Sequence, residues 1–114
     1  VKSLIVTYSN PKVERYFGDY DKLKQKIGYD YTRKVVKIIN ALEAAETFSD
    51  YLSTGYAKPH TLTNSDGCYG LSVSKNVRMV VKPNLINNSI EICTEVDVKG
   101  VCDYHGDKEN WYIP

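Results

Sequence analysis

Two histidines, His60 and His105, stand in a chain of 114 residues. Histidine is the side chain that takes and gives protons near neutral pH. His60 lies in Lys58-Pro59-His60-Thr61-Leu62, and His105 belongs to the run Val101-Cys102-Asp103-Tyr104-His105-Gly106. In that run Asp103, Tyr104 and His105 are three neighbouring groups able to act as acid, base or hydrogen-bond donor. Arg78 is the single charge in Val77-Arg78-Met79-Val80-Val81. Two imidazoles facing each other across a sheet, with a cation nearby, have the makings of RNA cleavage. One takes the 2′-OH proton, the other protonates the leaving 5′-oxygen, and Arg78 steadies the phosphorane between them.

Each of these residues also has a plain structural reading. His60 suits a solvated loop, Arg78 a half-exposed strand position, and the Asp103-Tyr104-His105 run an ordinary strand end. Strand alternation sends Asp103 and His105 to one face and Tyr104 to the other, unless a bend at Gly106 brings Tyr104 round. Competing chemistries lack their patterns. No Gly-rich phosphate loop, HExxH, GxSxG, RNA-recognition aromatic motif or zinc knuckle occurs in the sequence. The three cysteines, Cys68, Cys93 and Cys102, are odd in number and lack metal-ligand spacing, so they read as small buried apolar residues. No metal or cofactor is expected.

The elements that must position these groups follow from periodicity. Residues 3–8 form a β-rich run that ends at Ser9-Asn10-Pro11, where Asn10 caps and Pro11 opens a short helix over 11–18. Residues 19–29 are polar and lysine-rich, a loop or weak helical turn. Asp30 reads as the cap of the main helix, whose apolar stripe runs Tyr31, Val35, Ile38, Ile39, Leu42 and Ala45. Thr47 restarts a turn that Gly55 closes. Beyond a loop to about Gly67 the period shortens: strands at 68–74 and 77–82 form a hairpin through Ser74-Lys75-Asn76. Pro83 to Ser89 is turn-rich, a further strand starts near Glu95, and the apolar tail Trp111-Tyr112-Ile113 docks. The order predicts a single α+β domain over 1–114, with helices on one face of an antiparallel sheet and three C-terminal strands.

Fifteen basic and fourteen acidic residues give a net charge of +1, with 42% apolar residues. That composition is globular rather than disordered. The longest apolar runs are far short of the roughly 20 residues of a membrane span. The first twelve residues carry no charged-then-apolar leader, so a cytoplasmic location and no membrane partner are expected. Basic side chains concentrate between residues 11 and 40, acidic ones after residue 90. The basic helical region suits either a solvated face or a contact for RNA or an acidic partner.

Taken together, certain stretches resemble a known group. They are Ala41-Leu42-Glu43-Ala44-Ala45, Lys58-Pro59-His60-Thr61-Leu62, Gly67-Cys68-Tyr69-Gly70-Leu71-Ser72-Val73, Asn76-Val77-Arg78-Met79-Val80 and Val101-Cys102-Asp103-Tyr104-His105-Gly106. Across residues 35–106 the chain resembles the HigB-like branch of the RelE/ParE toxin superfamily. The resemblance implies the toxin of a type II toxin–antitoxin pair, a metal-independent endonuclease that cuts mRNA in the ribosomal A site. It implies a helix-turn-helix antitoxin partner, with operator DNA bound only through that antitoxin. It assigns catalysis to His60, Arg78, Asp103, Tyr104 and His105; RNA contact is expected of the basic residues Lys58, Lys75, Arg33 and Lys37.

The loop after His60 departs from the family pattern. It reads Thr63-Asn64-Ser65-Asp66-Gly67, where the family has Lys-Gly and further basic residues. Fewer phosphate contacts weaken the salt-dependent part of RNA affinity. Two alternatives stand beside the nuclease: a catalytically weak or inactive homologue serving as an antitoxin-binding module, which the altered loop suggests, and a ParE-like inhibitor of gyrase, which shares the implied fold. The two histidines speak against the gyrase reading, which needs no acid–base pair.

Overall fold

The computed structural model describes residues 3–63, 65–105 and 108–114, with His105 described for its backbone only. Strand β1 (Ile5–Tyr8) leads into four helices, α1 (Pro11–Phe17), α2 (Tyr20–Ile27), α3 (Tyr29–Ala44) and α4 (Phe48–Thr54). Five strands follow: β2 (His60–Thr61), β3 (Tyr69–Ser72), β4 (Val77–Pro83), β5 (Glu95–His105) and β6 (Lys108–Ile113).

The helix starts are written in side chains that accept orphan amides. Asn10 Oδ1 accepts from Val13 N at 2.9 Å, with Pro11 at the first helical position. Thr47 Oγ1 does the same for Asp50 N at 3.1 Å. Two expectations change in this region. Residues 20–27 form a full helix: Asp19 caps it through Asp21 N and Lys22 N, and Leu23 and Ile27, one turn apart, are both buried. The main helix starts at Tyr29 with Gly28 as its cap, so Asp30 sits in the first turn instead. Gly28 ends α2 and opens α3, which leaves no room for a separate cap at 30.

The sheet order is β1-β5-β4-β3-β2, and β6 also pairs with β5. All pairings are antiparallel except β1 with β5, so the sheet is mixed rather than wholly antiparallel. The four helices and strands β2, β3 and β4 all lie between the two partners, and β5 then runs beside β1 in the same direction. One edge of β5 is taken by β4 from Val96 to Asp103. Its other edge therefore holds β1 along residues 95–98 and β6 along residues 101–105. Among the described residues the expected tail docking is this sixth strand, with Ile113 fully buried.

The two faces of the sheet differ. Val77, Met79, Val81, Val96, Val98 and Val101 point to the helices and meet Val35, Ile38, Leu42, Phe48 and Tyr51 in one core. Burying such a side chain contributes roughly 1.5–3 kcal/mol. The opposite face has only a small cluster of Cys68, Val80 and Cys102, with Leu62 and Tyr104 against it. Among the described residues no helix covers that face. The segment 84–94 between β4 and β5 holds an isolated bridge, Ile86 with Ser89, and is anchored to α4 by Phe48 N donating to Cys93 O at 2.9 Å.

At Gly100 the strand depends on having no side chain. A β-carbon there would lie 1.7 Å from Ile113 O and 3.3 Å from Trp111 Cζ3. Its φ of 148° is also outside the range that other residues favour. The pairing slips by one residue beside it, opposite Val80/Val81. That slip sets which β5 residues reach the open face.

Candidate functional site

The open face carries a cleft of about 740 Å³ whose lining includes His60, Arg78, Lys99, Tyr104, Glu109 and Trp111. Cys68, Val80 and Leu62 floor it, with Thr63 and Ser65 at its side. Each polar group arrives by strand alternation. Val77 and Met79 face the helices, so Arg78 and Val80 face the cleft. Cys102 opposes Arg78, and Tyr104 follows two residues later on the same face.

His60 reaches the cleft from the short strand β2, directly opposite Gly70. Its ring occupies the space a side chain at 70 would need: a β-carbon there would lie 3.2 Å from Cε1 and Nε2. Nδ1 is 3.2 Å from the carbonyl oxygen of Lys58. A carbonyl only accepts, so a bond there places a proton on Nδ1. In the neutral ring Nε2 is then the acceptor.

Arg78 is half-buried, and Nη1 donates to Ser74 O at 2.6 Å and to Val77 O at 3.2 Å. These bonds hold the guanidinium near the β3–β4 turn while its remaining N–H groups stay open to a ligand. Tyr104 has its phenol pushed up to about 12 by burial and by the neighbouring Cys102 and Glu109. It stays a hydrogen-bond donor at any physiological pH. Burial likewise raises Cys68, and raises Cys102 to about 11, so both remain thiols. Neither is a ready nucleophile.

The other sequence candidates are distributed differently. Asp103 faces the helix side, opposite Val77 in register, and accepts from Tyr112 Oη at 3.3 Å. The structure does not bring it to His60. His105 ends β5 opposite Lys108; its side chain, like Gly106 and Asn64, lies outside the described residues. Lys58 and Lys75 come together in a second cavity of about 560 Å³, lined also by Lys34, Tyr56 and Arg78. Lys34 Nζ lies 4.4 Å above the Tyr56 ring centre. Arg78 thus borders both cavities. Arg33 and Lys37 lie exposed on α3 and line neither; Arg33 instead covers the Tyr29 ring at 5.6 Å. The basic helical region has its own cavity of about 590 Å³ on α1 and α2, where Lys12, Arg15, Lys22 and Lys26 surround Tyr16.

Sequence reasoning missed Glu109, Trp111, Lys99 and Lys34. The first two become visible once β6 is placed beside β5. The dipeptide Gly106-Asp107 between two β-rich runs is the sequence signal for a pairing of the flanking strands. Lys99 turns on the pairing slip at Gly100, for which a lone glycine in a strand is the hint. In the loop after His60, the acidic newcomer Asp66 pairs with Lys82 at 3.1 Å.

Among the described residues, four helices on one face of a mixed six-stranded sheet, with a polar cleft on the opposite face, define the α+β class to which the chain belongs. That architecture is shared by YoeB from Staphylococcus aureus in two solved structures. The chain is similar to the YoeB dimer with a TM-score of 0.54 and 20% identity, over 90% of this chain and 98% of that one. It is similar to the YoeB–YefM complex with a TM-score of 0.55 and 17% identity, over 90% and 97% of the two chains. At such identity the likeness is one of fold. Comparisons with protein-family models and with curated proteins return no match. Among the described residues no helix is long and apolar enough to cross a membrane.

Proposed function

We propose that this chain is a toxin of the RelE superfamily, of the HigB-like branch that its sequence resembles, and that it cuts mRNA on the ribosome. The observation that carries the reading is the meeting of His60, Arg78 and Tyr104 in one cleft on the uncovered face of the sheet. Neutral His60 accepts the 2′-OH proton at Nε2, and the 2′-oxygen attacks phosphorus. Arg78 and the protonated Tyr104 hold the phosphorane oxygens. The P–O5′ bond breaks, the 5′-oxygen gains a proton from His105, and a 2′,3′-cyclic phosphate and a 5′-OH remain. The nucleophile is internal to RNA, so the route calls on no metal.

Asp103 takes no part at the phosphate in this scheme; through Tyr112 it steadies the end of β5. The cavity of Lys34, Lys58 and Lys75 receives the neighbouring phosphate, with Arg78 spanning the two. Lys99, paired with Asp97 at 3.2 Å, brings a shared cation to the cleft wall where the His60 loop lacks one. The α1–α2 basic cavity meets ribosomal RNA. By analogy with the YoeB–YefM complex, a cognate antitoxin is the expected protein partner; contact with operator DNA belongs to that antitoxin, as the sequence resemblance implies.

The test is to induce the chain in growing bacteria and map new mRNA 5′ ends, with His60→Ala as control. Cuts inside translated regions, in step with codons and absent from the variant, are expected. Growth arrest without such cuts would point to gyrase or another target. Neither arrest nor cuts would favour the non-catalytic antitoxin-binding module.

A further inference from the structure

The cleft has two chemically different ends. His60 on β2 and Arg78 on β4 line one side, whereas Tyr104 on β5 and Glu109 and Trp111 on β6 form a lip at the other, with Lys99 of β5 beside Gly100. Tyr104 and Glu109 are direct partners across the two strands. Trp111 is the only tryptophan in the chain, and 38% of it remains exposed. Its ring edge passes over Gly100, where a β-carbon would press to 3.3 Å. An exposed aromatic ring beside a cationic cleft is what base stacking requires.

Glu109 decides what that base can be. A carboxylate repels phosphate and only accepts hydrogen bonds. Among the described residues it takes part in no ion pair or hydrogen bond. The nucleotide must therefore lie with its phosphate toward Arg78 and its base toward the lip. Guanine is the base whose pairing edge offers two adjacent donors, N1–H and the 2-amino group, to a single carboxylate.

We propose that Trp111 and Glu109 form a guanine-selective subsite, in which the indole stacks on the base and the carboxylate accepts from N1–H and N2–H. This rests on the reading of the chain as an RNA-cutting protein and names the nucleotide its cleft selects. Neither residue touches the scissile bond, so both set specificity rather than chemistry.

The lone tryptophan makes the subsite directly observable, without any cleavage. The purified chain is titrated with guanosine 5′-monophosphate while Trp111 fluorescence is followed. Inosine, adenosine and cytidine 5′-monophosphates serve as probes that alter or remove the donors. Saturable quenching by the guanosine nucleotide is expected, with inosine about tenfold weaker for the loss of one charge-assisted hydrogen bond. In Glu109→Gln, an isosteric change at an exposed strand position, the gap between the two should close while quenching persists. Equal responses to all four nucleotides would overturn the guanine assignment. No quenching by any of them would overturn the subsite itself. Mapped cuts in cells without bound guanosine nucleotide in this titration would leave the nuclease reading standing and this inference refuted.

Discussion

His60 and Gly70 face each other across the β2–β3 pair, and the imidazole fills the space that a side chain at position 70 would occupy. The pairing ties the placement of a catalytic candidate to a residue with no chemistry of its own.

Gly70→Ala is therefore predicted to lower activity without unfolding the chain. Its new methyl group would meet Leu62 Cδ2 at 3.0 Å and the His60 ring at 3.2 Å, and both are side-chain atoms able to yield. A displacement near 1 Å of a catalytic group costs on the order of 100-fold in rate. Single-turnover cutting of ribosome-bound mRNA checks the rate, and a thermal melt checks the fold. Unchanged cutting would mean that the His60 position is not critical.

Arg78→Lys keeps the charge but loses the planar fork. Phosphorane stabilisation by several directed donors falls by roughly 100-fold. Binding of antitoxin, measured by calorimetry, should be unaltered. Equal loss in both assays would show that Arg78 supports the β3–β4 turn, through its bond to Ser74 O, more than it supports catalysis.

Asp97 links the first strand to the fifth. It accepts from Thr7 Oγ1 at 2.7 Å and from Ser9 Oγ at 2.5 Å, and pairs with Lys99 at 3.2 Å. Burial alone would raise its carboxyl, but the hydrogen bonds from Ser9, Thr7 and Lys99 outweigh it and hold the group below its ordinary 3.8. A carboxyl lowered in the folded state contributes stability above its unfolded value and loses it as pH falls through the folded one. Asp97→Asn should thus cost about 1–3 kcal/mol at pH 7. The gap to the parent should shrink below pH 3.8. Urea unfolding at the two pH values reads both; a gap independent of pH would assign the effect to packing.

Gly100→Ala should be the most damaging small substitution. The obstacle is the backbone oxygen of Ile113 at 1.7 Å, which cannot rotate away. Overpacking of this kind costs at least about 1–3 kcal/mol, and here it would lift β6 from β5. Urea unfolding followed by Trp111 emission should show an early β6 transition. A single unshifted transition would contradict the account of the strand slip.

Much of this architecture was legible in the chain. Asn10-Pro11 and Thr47 announced their helices because a cap is a local hydrogen bond, readable from one side chain. The Ser74-Lys75-Asn76 hairpin and the start of β5 at Glu95 were likewise local. What escaped depended on distant partners. Residues 20–27 looked polar because only Leu23 and Ile27 are buried, and the core they enter is built by other elements. The parallel pairing of β1 with β5 joins residues some 90 positions apart, and no local pattern encodes it. The same holds at the site. Alternation foretold that Asp103 and Tyr104 part company, but only β6, laid beside β5, brought Glu109 and Trp111 to the cleft.

The most direct test of the account is cleavage with purified ribosomes. Ribosomes stalled on a defined mRNA with an empty A site are mixed with the chain, with His60→Ala, or with buffer, and the new RNA ends are analysed chemically. A cut confined to the A-site codon is expected, with a 2′,3′-cyclic phosphate on the upstream fragment. The variant should lose at least about 100-fold in rate, and the same mRNA should stay uncut without ribosomes. Full activity of His60→Ala, or a product ending in a 3′-OH, would contradict the proposed cleavage.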